Sequence, residues 1–320
     1  MSVKKQTNNS TLFLISTFGV YFSFLVYGIF QEKITRKTQY ADDERFTSYV
    51  FLIFALATSN YCFSRLLISF LPSMKPYRSI SYPTLPFLKI SLSYVSSMLA
   101  SNASLLWLSY PTQVLLKSCK IVPVLLAGVI IRKQRYSISK YISVLLVTFG
   151  IFSFMFRSSS SVSSSPQWPG VLLGILSLVL DGVTGAGQDT VVKQHNTPAL
   201  VLMNKNNLFG AIFLFIVSVI SGELFSAISF IMRNPIFIWN FAWFAVSFAA
   251  GQSFVYLLVA NFSSLACSTV TTTRKFFTVL LSVLIFGNNL SFFQWVSVFI
   301  VFTGILWEKG CGIWVRKERS

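Results

Sequence analysis

PTQVLLKSCKIVPVLLAGVII, residues 111–131, decides how the whole chain is read. At about 1.5 Å per residue such a helix reaches about 31 Å, enough to cross a hydrocarbon core of about 30 Å. Yet Lys117 and Lys120 stand inside it. A lysine or arginine at a helix centre costs about 2.5–3.5 kcal/mol on insertion scales, so buried cations of this kind mark a site until shown otherwise.

Outward from this stretch the same texture recurs. Apolar windows lie near 11–31, 46–71, 84–108 and 138–157, and again near 169–192, 206–225, 236–260, 263–287 and 290–308, each bounded by Pro, Asn, Ser or charge. With 111–131 they make ten spans and leave almost no chain over. The composition agrees: 54% hydrophobic and 11% charged residues, with a mean hydropathy of +0.67, exclude an ordinary soluble domain. The expected fold class is an all-α polytopic membrane protein. Joints after the third, fourth, eighth and ninth spans are short, which predicts antiparallel hairpins and no soluble domain in a loop. The first window reads as a retained helix and not as a cleaved signal peptide, having no small-x-small site after it.

Lys and Arg outnumber Asp and Glu by 26 to 9. They do not form an exposed basic stripe, so nucleic acid is not an expected partner; the lipid bilayer is. The amino terminus, alternate loops and the carboxyl terminus hold fourteen cations, among them Lys4, Lys5, Arg132, Lys133, Arg316 and Lys317. Lys33, Arg36, Lys37, Arg45, Arg157 and Arg233 fall on the other side. The positive-inside rule then puts both termini in the cytosol.

Cys62, Cys119 and Cys267 sit in apolar spans and read as small buried hydrophobes, Cys311 as a juxtamembrane thiol, and His195 as a solvated loop residue. No metal site, disulfide framework or cofactor is called for. A membrane-embedded transferase is a remote alternative, since one histidine and no sizeable loop leave nowhere for a catalytic pair. A non-transporting scaffold would have no use for buried cations. The sequence does not fix an oligomeric state.

Shifting the chain by 154 residues superposes Lys120 on Arg274, Ser137 on Ser291, Tyr141 on Trp295 and Gly150-Ile151 on Gly304-Ile305. A shift of 157 aligns Gly28, Gln31 and Glu32 with Gly185, Gln188 and Asp189. The reading is two copies: a first five-helix repeat over 1–157, a Ser-rich linker over 158–168, a second repeat over 169–310 and a basic cytosolic tail over 311–320. Five is odd, so the second copy enters the bilayer from the opposite side. Such inverted repeats expose a midplane site alternately to each face.

Six cations remain inside spans. Arg65 and Lys89 are about 9 Å from an end, within snorkelling reach. Lys117, Lys120, Arg274 and Lys275 are deeper, and the acids available to them are Glu32, Asp181 and Asp189. Gln113, Lys117 and Lys120 follow i, i+4, i+7 spacing, one helix face, and Thr271, Arg274 and Thr278 repeat it. Cations in excess of acids around a cavity suit a polyphosphate, which arginine grips bidentately and lysine as a point charge. The competing reading is a salt-bridge lattice, set against here because three acids cannot neutralise four cations and because Asp181 need not face them. Base and ribose are expected among aromatics such as Tyr21, Tyr94, Tyr110 or Tyr256.

Five segments, YGIFQEKITR (27–36), YPTQVLLKSCK (110–120), LDGVTGAGQD (180–189), GQSF (251–254) and TTTRKFF (271–277), carry a resemblance over nearly the whole chain. They resemble the nucleotide-sugar transporters of solute carrier family 35, subfamily B, in the branch of UDP-galactose transporter homologues and ATP/ADP exchangers of the endoplasmic reticulum. The resemblance implies a ten-helix drug/metabolite transporter fold and a multi-pass antiporter of the endoplasmic reticulum membrane carrying a nucleotide or nucleotide sugar of the UDP-galactose or UDP-glucose type. Its alternative is an exchanger importing ATP into the lumen. By the same resemblance Lys117, Lys120, Arg274 and Lys275 would bind phosphate, Gln113 and Gln252 would be polar contacts, and Glu32 the acid of the first helix. The terminal Lys317-Glu318-Arg319-Ser320 departs from the family's lysine-rich retrieval tail.

Overall fold

The computed structural model describes residues 2–32, 34, 46, 48–78, 80, 82–104, 106–108, 113, 116, 117, 119–156, 168–285 and 292–317. Every regular element among them is helical. In chain order these are α1 (Ser2–Glu32), α2 (Tyr49–Phe70), α3 (Thr84–Ser104), α4 (Ile121–Ile130), α5 (Ile138–Phe156), α6 (Trp168–His195), α7 (Ala199–Ile220), α8 (Glu223–Arg233), α9 (Ile236–Asn261), α10 (Ser264–Ile285) and α11 (Phe292–Lys317). Short helical turns at Pro72–Met74 and Lys75–Arg78 follow α2.

Five of the helical stretches, Ser10–Phe30, Tyr49–Phe70, Trp168–His195, Ala199–Ile220 and Ile236–Asn261, are long and apolar enough to cross a membrane. The windows read at 84–108 and 263–287 correspond to α3 and α10, whose many serines and threonines hold their hydropathy below that of a lipid-facing span. The linker read at 158–168 lies outside the described residues except for Trp168, which opens α6.

Three expectations are corrected. The seventh span, read at 206–225, runs over Ala199–Ile220. Asn204, Lys205, Asn206 and Asn207 look like a polar joint in sequence, but Asn204 Nδ2 donates to Ser64 Oγ at 3.2 Å and Asn60 Nδ2 donates to Asn207 Oδ1 at 3.2 Å. Ser91 Oγ reaches the Asn206 carbonyl at 3.0 Å. Helix α2 thus supplies partners for the Asn204 and Asn207 side chains and α3 for the Asn206 backbone carbonyl, and a polar group buried with a partner does not break a span. Likewise His195, read as a loop residue, is the last residue of α6. The third is α8, which begins inside the window read at 206–225 and continues past its end as a separate helix.

The chain divides into two compact units, Met1–Val95 with Gly187–Cys267, and Ser96–Ala186 with Ser268–Ser320. Both draw on both halves of the sequence, and the divisions fall inside α3, α6 and α10. In the first unit α1 packs along α9 and α2 along α7. Phe46, Phe230, Phe237 and Phe244 form an aromatic core there, with Phe46 and Phe237 rings 4.8 Å apart.

In the second unit α5 packs along α11 through a reciprocal contact. A Cβ on Gly150 would lie 2.7 Å from Val301 Cγ2, and one on Gly304 would lie 2.9 Å from Val147 Cγ2. Gly150 and Gly304 are 154 positions apart, and so are Val147 and Val301. Small residues let the two backbones close on each other, the usual basis of helix packing where lipid gives no hydrophobic drive. Ser143 Oγ, donating to the Gly304 carbonyl at 2.8 Å, ties the same seam.

Candidate functional site

Lys117 and Lys120 were expected on one continuous helix over 111–131. The regular helix α4 instead begins at Ile121, and the residues before it bond tightly: Cys119 N–H donates to the Leu116 carbonyl at 3.1 Å and Lys120 N–H to that of Lys117 at 3.3 Å. Val122 N–H takes the Cys119 carbonyl at 3.1 Å. Pro123 explains this, because it has no N–H to offer Cys119, so that carbonyl is satisfied three residues on in the 3₁₀ manner. The cations therefore sit at an interruption, where helix geometry is already relaxed.

Across from that interruption is α6. Lys117 Nζ and Lys120 Nζ each lie 3.3 Å from the same oxygen, Asp181 Oδ2. Lys117 Nζ also donates to Ser177 Oγ, one turn before Asp181 on α6. The other carboxylate oxygen, Oδ1, accepts from Ser97 Oγ of α3 at 2.7 Å, and Ser177 Oγ donates to the Ser97 carbonyl at 2.8 Å. The close approach has a backbone cause: a Cβ on Gly182 would lie 2.7 Å from the Pro123 carbonyl oxygen, so only glycine beside Asp181 brings α6 this near.

Asp181, one of the three acids read as candidate partners, therefore faces both lysines, as the competing salt-bridge reading required of it. The charge balance is still uneven, two ammonium groups on one carboxylate. Exposure separates their tasks: the Lys117 side chain is 17% exposed and Asp181 10%, but Lys120 is 35%. Lys117 is the more enclosed partner of the carboxylate and Lys120 the more accessible one.

The other sequence-derived candidates fall as follows. Gln113 is buried and donates from Nε2 to the Ser101 carbonyl at 2.6 Å and to Ser101 Oγ at 3.1 Å, on the α3 face that carries Ser97 one turn earlier. Arg274 is a half-buried residue of α10 in the same compact unit. Thr271, one turn before it, donates to the Ser268 carbonyl at 3.2 Å. Gln252 is half-buried on α9, in the other unit. The side chains of Glu32 and Lys275 lie outside the described residues, as does Tyr110.

Sequence reasoning missed the serines. Ser177 and Asp181 are four apart, and so are Ser97 and Ser101, the spacing of one helix face. That periodicity was present and carried the site's second layer. It also missed the task of Asp189, which accepts from Ser264 N–H at 2.7 Å and from Ser264 Oγ at 2.7 Å. With Ser263 Oγ accepting from Ala266 N–H at 3.3 Å, this carboxylate secures the first turn of α10, where free N–H groups favour an anion. No group of His, Cys, Asp or Glu among the described residues could hold a metal ion.

Comparison with known proteins places this chain in a family. Residues 12–310 match the model of the UAA transporter family. Solute carrier family 35 member B1 of Gallus gallus is 40% identical over 304 residues, covering 93% of this chain and 92% of that protein. Its counterpart in Xenopus tropicalis is 39% identical over 306 residues, 94% of each, and the homologue in Drosophila melanogaster is 34% identical over 302 residues, 92% of this chain and 88% of its own. One solved crystal structure, only 12% identical, superposes with a TM-score of 0.57 over 97% of this chain and 99% of that one, a likeness of fold alone. A transporter family match over nearly the full length, on an all-helical chain with apolar spanning helices, leads to one statement: this chain belongs to the UAA transporter family, on the branch of solute carrier family 35 subfamily B, and is a multi-pass membrane transporter and not an enzyme.

Proposed function

We propose that the chain is an antiporter of the endoplasmic reticulum membrane, with both termini cytosolic, that exchanges nucleotides or nucleotide sugars of the UDP-galactose or UDP-glucose type. Lys120 receives the phosphates, with Lys117, Arg274 and Lys275 completing the cationic set. Gln113 and Gln252 orient the substrate, and Glu32 acts as the acid of the first helix. The observation that carries this reading is the pair of lysines on one carboxylate. A structural ion pair needs one cation per acid; a second, half-exposed ammonium adds desolvation cost without adding a partner, and an arriving phosphate supplies that partner.

Asp181 is then the resident counter-ion. When a di- or triphosphate enters, the lysines turn from Oδ2 toward it, and when it leaves Asp181 takes them back. An empty site holds an excess of positive charge, so closure around it is costly, whereas closure around a nucleotide is not. Exchange follows from that difference.

The transport cycle we infer is alternating access between two inverted five-helix repeats, over 1–157 and 169–310. The reciprocal Gly150–Val301 and Gly304–Val147 contacts at a constant 154-residue spacing support it. So do compact units that each take helices from both sequence halves.

The test is counterflow in proteoliposomes with UDP-galactose, UDP-glucose, UDP, UMP, ATP and ADP offered in turn on both sides. A uridine species driving uptake of labelled uridine species supports the reading. Uptake confined to ATP and ADP replaces it with the adenine exchanger, and no nucleotide-driven uptake at all overturns it.

A further inference from the structure

Helix α8 (Glu223–Arg233) belongs to no span and to no part of the site. At about 1.5 Å per residue it is about 16 Å long, half of what a bilayer crossing needs. It sits between Ile220, which ends α7, and Ile236, which opens α9, and both of those helices are long and apolar enough to span. Gly222, in the left-handed region at φ +75°, turns the chain into α8. At its far end Asn234 N–H bonds back to the Phe230 carbonyl at 3.0 Å and Phe237 N–H to the Asn234 carbonyl at 3.0 Å, which turns it out again.

The surface of α8 has three sides, not two. Ala227 and Phe230 are buried against the aromatic core of the first unit. Ser226, Ser229 and Arg233, spaced i, i+3, i+7, are exposed and polar. Phe225, Ile228 and Met232, with the same spacing one position earlier, are exposed and apolar at 67%, 46% and 77%. A helix wet on one side and packed on protein on another needs only one buried stripe. A third side of large apolar residues, on a helix flanked in the chain by the exposed Ile220 of α7 and the exposed Ile236 and Trp239 of α9, has lipid as its matching solvent.

From this partition we infer that α8 is an interfacial helix, its Phe225–Ile228–Met232 stripe sunk into one leaflet at the acyl boundary while Ser226, Ser229 and Arg233 face water and headgroups. It is fixed to the transporter as well as to the membrane. Glu223 Oε2 accepts from Val50 N–H at 2.7 Å and Phe51 N–H at 3.4 Å, capping the first turn of α2 from the first turn of α8. The bilayer surface thereby holds the end of a helix, α2, that packs along α7.

The experiment uses the full chain in nanodiscs with its four cysteines replaced, carrying a bimane label on single cysteines at Phe225→Cys, Ile228→Cys, Met232→Cys, Ser226→Cys and Ser229→Cys. Quenching by acyl-chain bromolipid is expected to be at least twofold greater on the first three than on the last two, with aqueous iodide giving the reverse order. Equal quenching of both stripes, or stronger iodide quenching of the apolar stripe, overturns the inference. As a check free of substitutions, the native chain is photolysed with a diazirine-bearing phospholipid. Adducts on the peptide at Phe225, Ile228 or Met232 support membrane insertion, and their absence from α8 while α7 and α9 are labelled refutes it.

Discussion

Asp181 Oδ2 is 3.3 Å from the ammonium nitrogen of Lys120 and equally 3.3 Å from that of Lys117, so one carboxylate of α6 is shared by two lysines beside the interruption that precedes α4. If the carboxylate is a stand-in for phosphate, removing it weakens the resting protein and strengthens ligand binding at once. Asp181→Asn is expected to lower the unfolding temperature of the empty transporter, the loss of one partner of a buried pair being about 3–5 kcal/mol. The thermal shift given by a saturating nucleotide should grow. A variant whose ligand-induced shift stays equal to or below the parent's contradicts the counter-ion role.

Lys120→Ala separates structure from function, because Lys117 keeps Asp181 paired. Little change in unfolding temperature is expected, since Lys120 is the more exposed lysine. Counterflow should fall about tenfold or more, the effect of losing a charge-assisted hydrogen bond of about 1.5–3 kcal/mol. Undiminished counterflow in both Lys120→Ala and Arg274→Ala would dispose of the cation site.

Asp189 has a different assignment, although both acids lie on α6. It accepts two bonds from Ser264, so Asp189→Ala should cost about 1–2 kcal/mol of stability, as lost helix caps do. Asp189→Asn keeps an acceptor for the Ser264 N–H and should recover part of that. Thermal unfolding with and without nucleotide checks it: the ligand-induced shift is expected to be the same in the parent and both variants.

The α5–α11 seam makes a symmetric prediction. Gly150→Val and Gly304→Val each drive a side chain into the valine of the opposite helix, and overpacking of this sort costs about 1–3 kcal/mol. Because both act by separating the same two helices, the double variant should lose less than the two single losses together. Full additivity in denaturant or thermal unfolding would mean the two contacts are independent.

Most of the fold was legible in the sequence because membrane insertion is a local test. Each span has to satisfy its own backbone and present its own apolar surface, so windows such as 46–71 and 236–260 report themselves. Asn204, Asn206 and Asn207 were not legible in that way. Whether an amide is a loop residue or a span residue depends on a partner such as Asn60, which stands 147 positions from Asn207. Helix α8 was lost for a related reason, since its Phe225, Ile228 and Met232 resemble the tail of the preceding span until Gly222 is seen to turn the chain.

Taken alone, the sequence pointed to an all-helical membrane protein, set four cations inside its apolar windows, and showed a 154-residue register between its halves. Those properties follow from composition, length and spacing, which each segment carries by itself. Only the tertiary structure decided that Asp181 answers both lysines, that Asp189 secures α10, and that Pro123 and Gly182 set the spacing between α4 and α6. Charge pairing depends on distance in space, falling off over a few ångströms, and two residues 64 positions apart acquire that distance only when the helices pack.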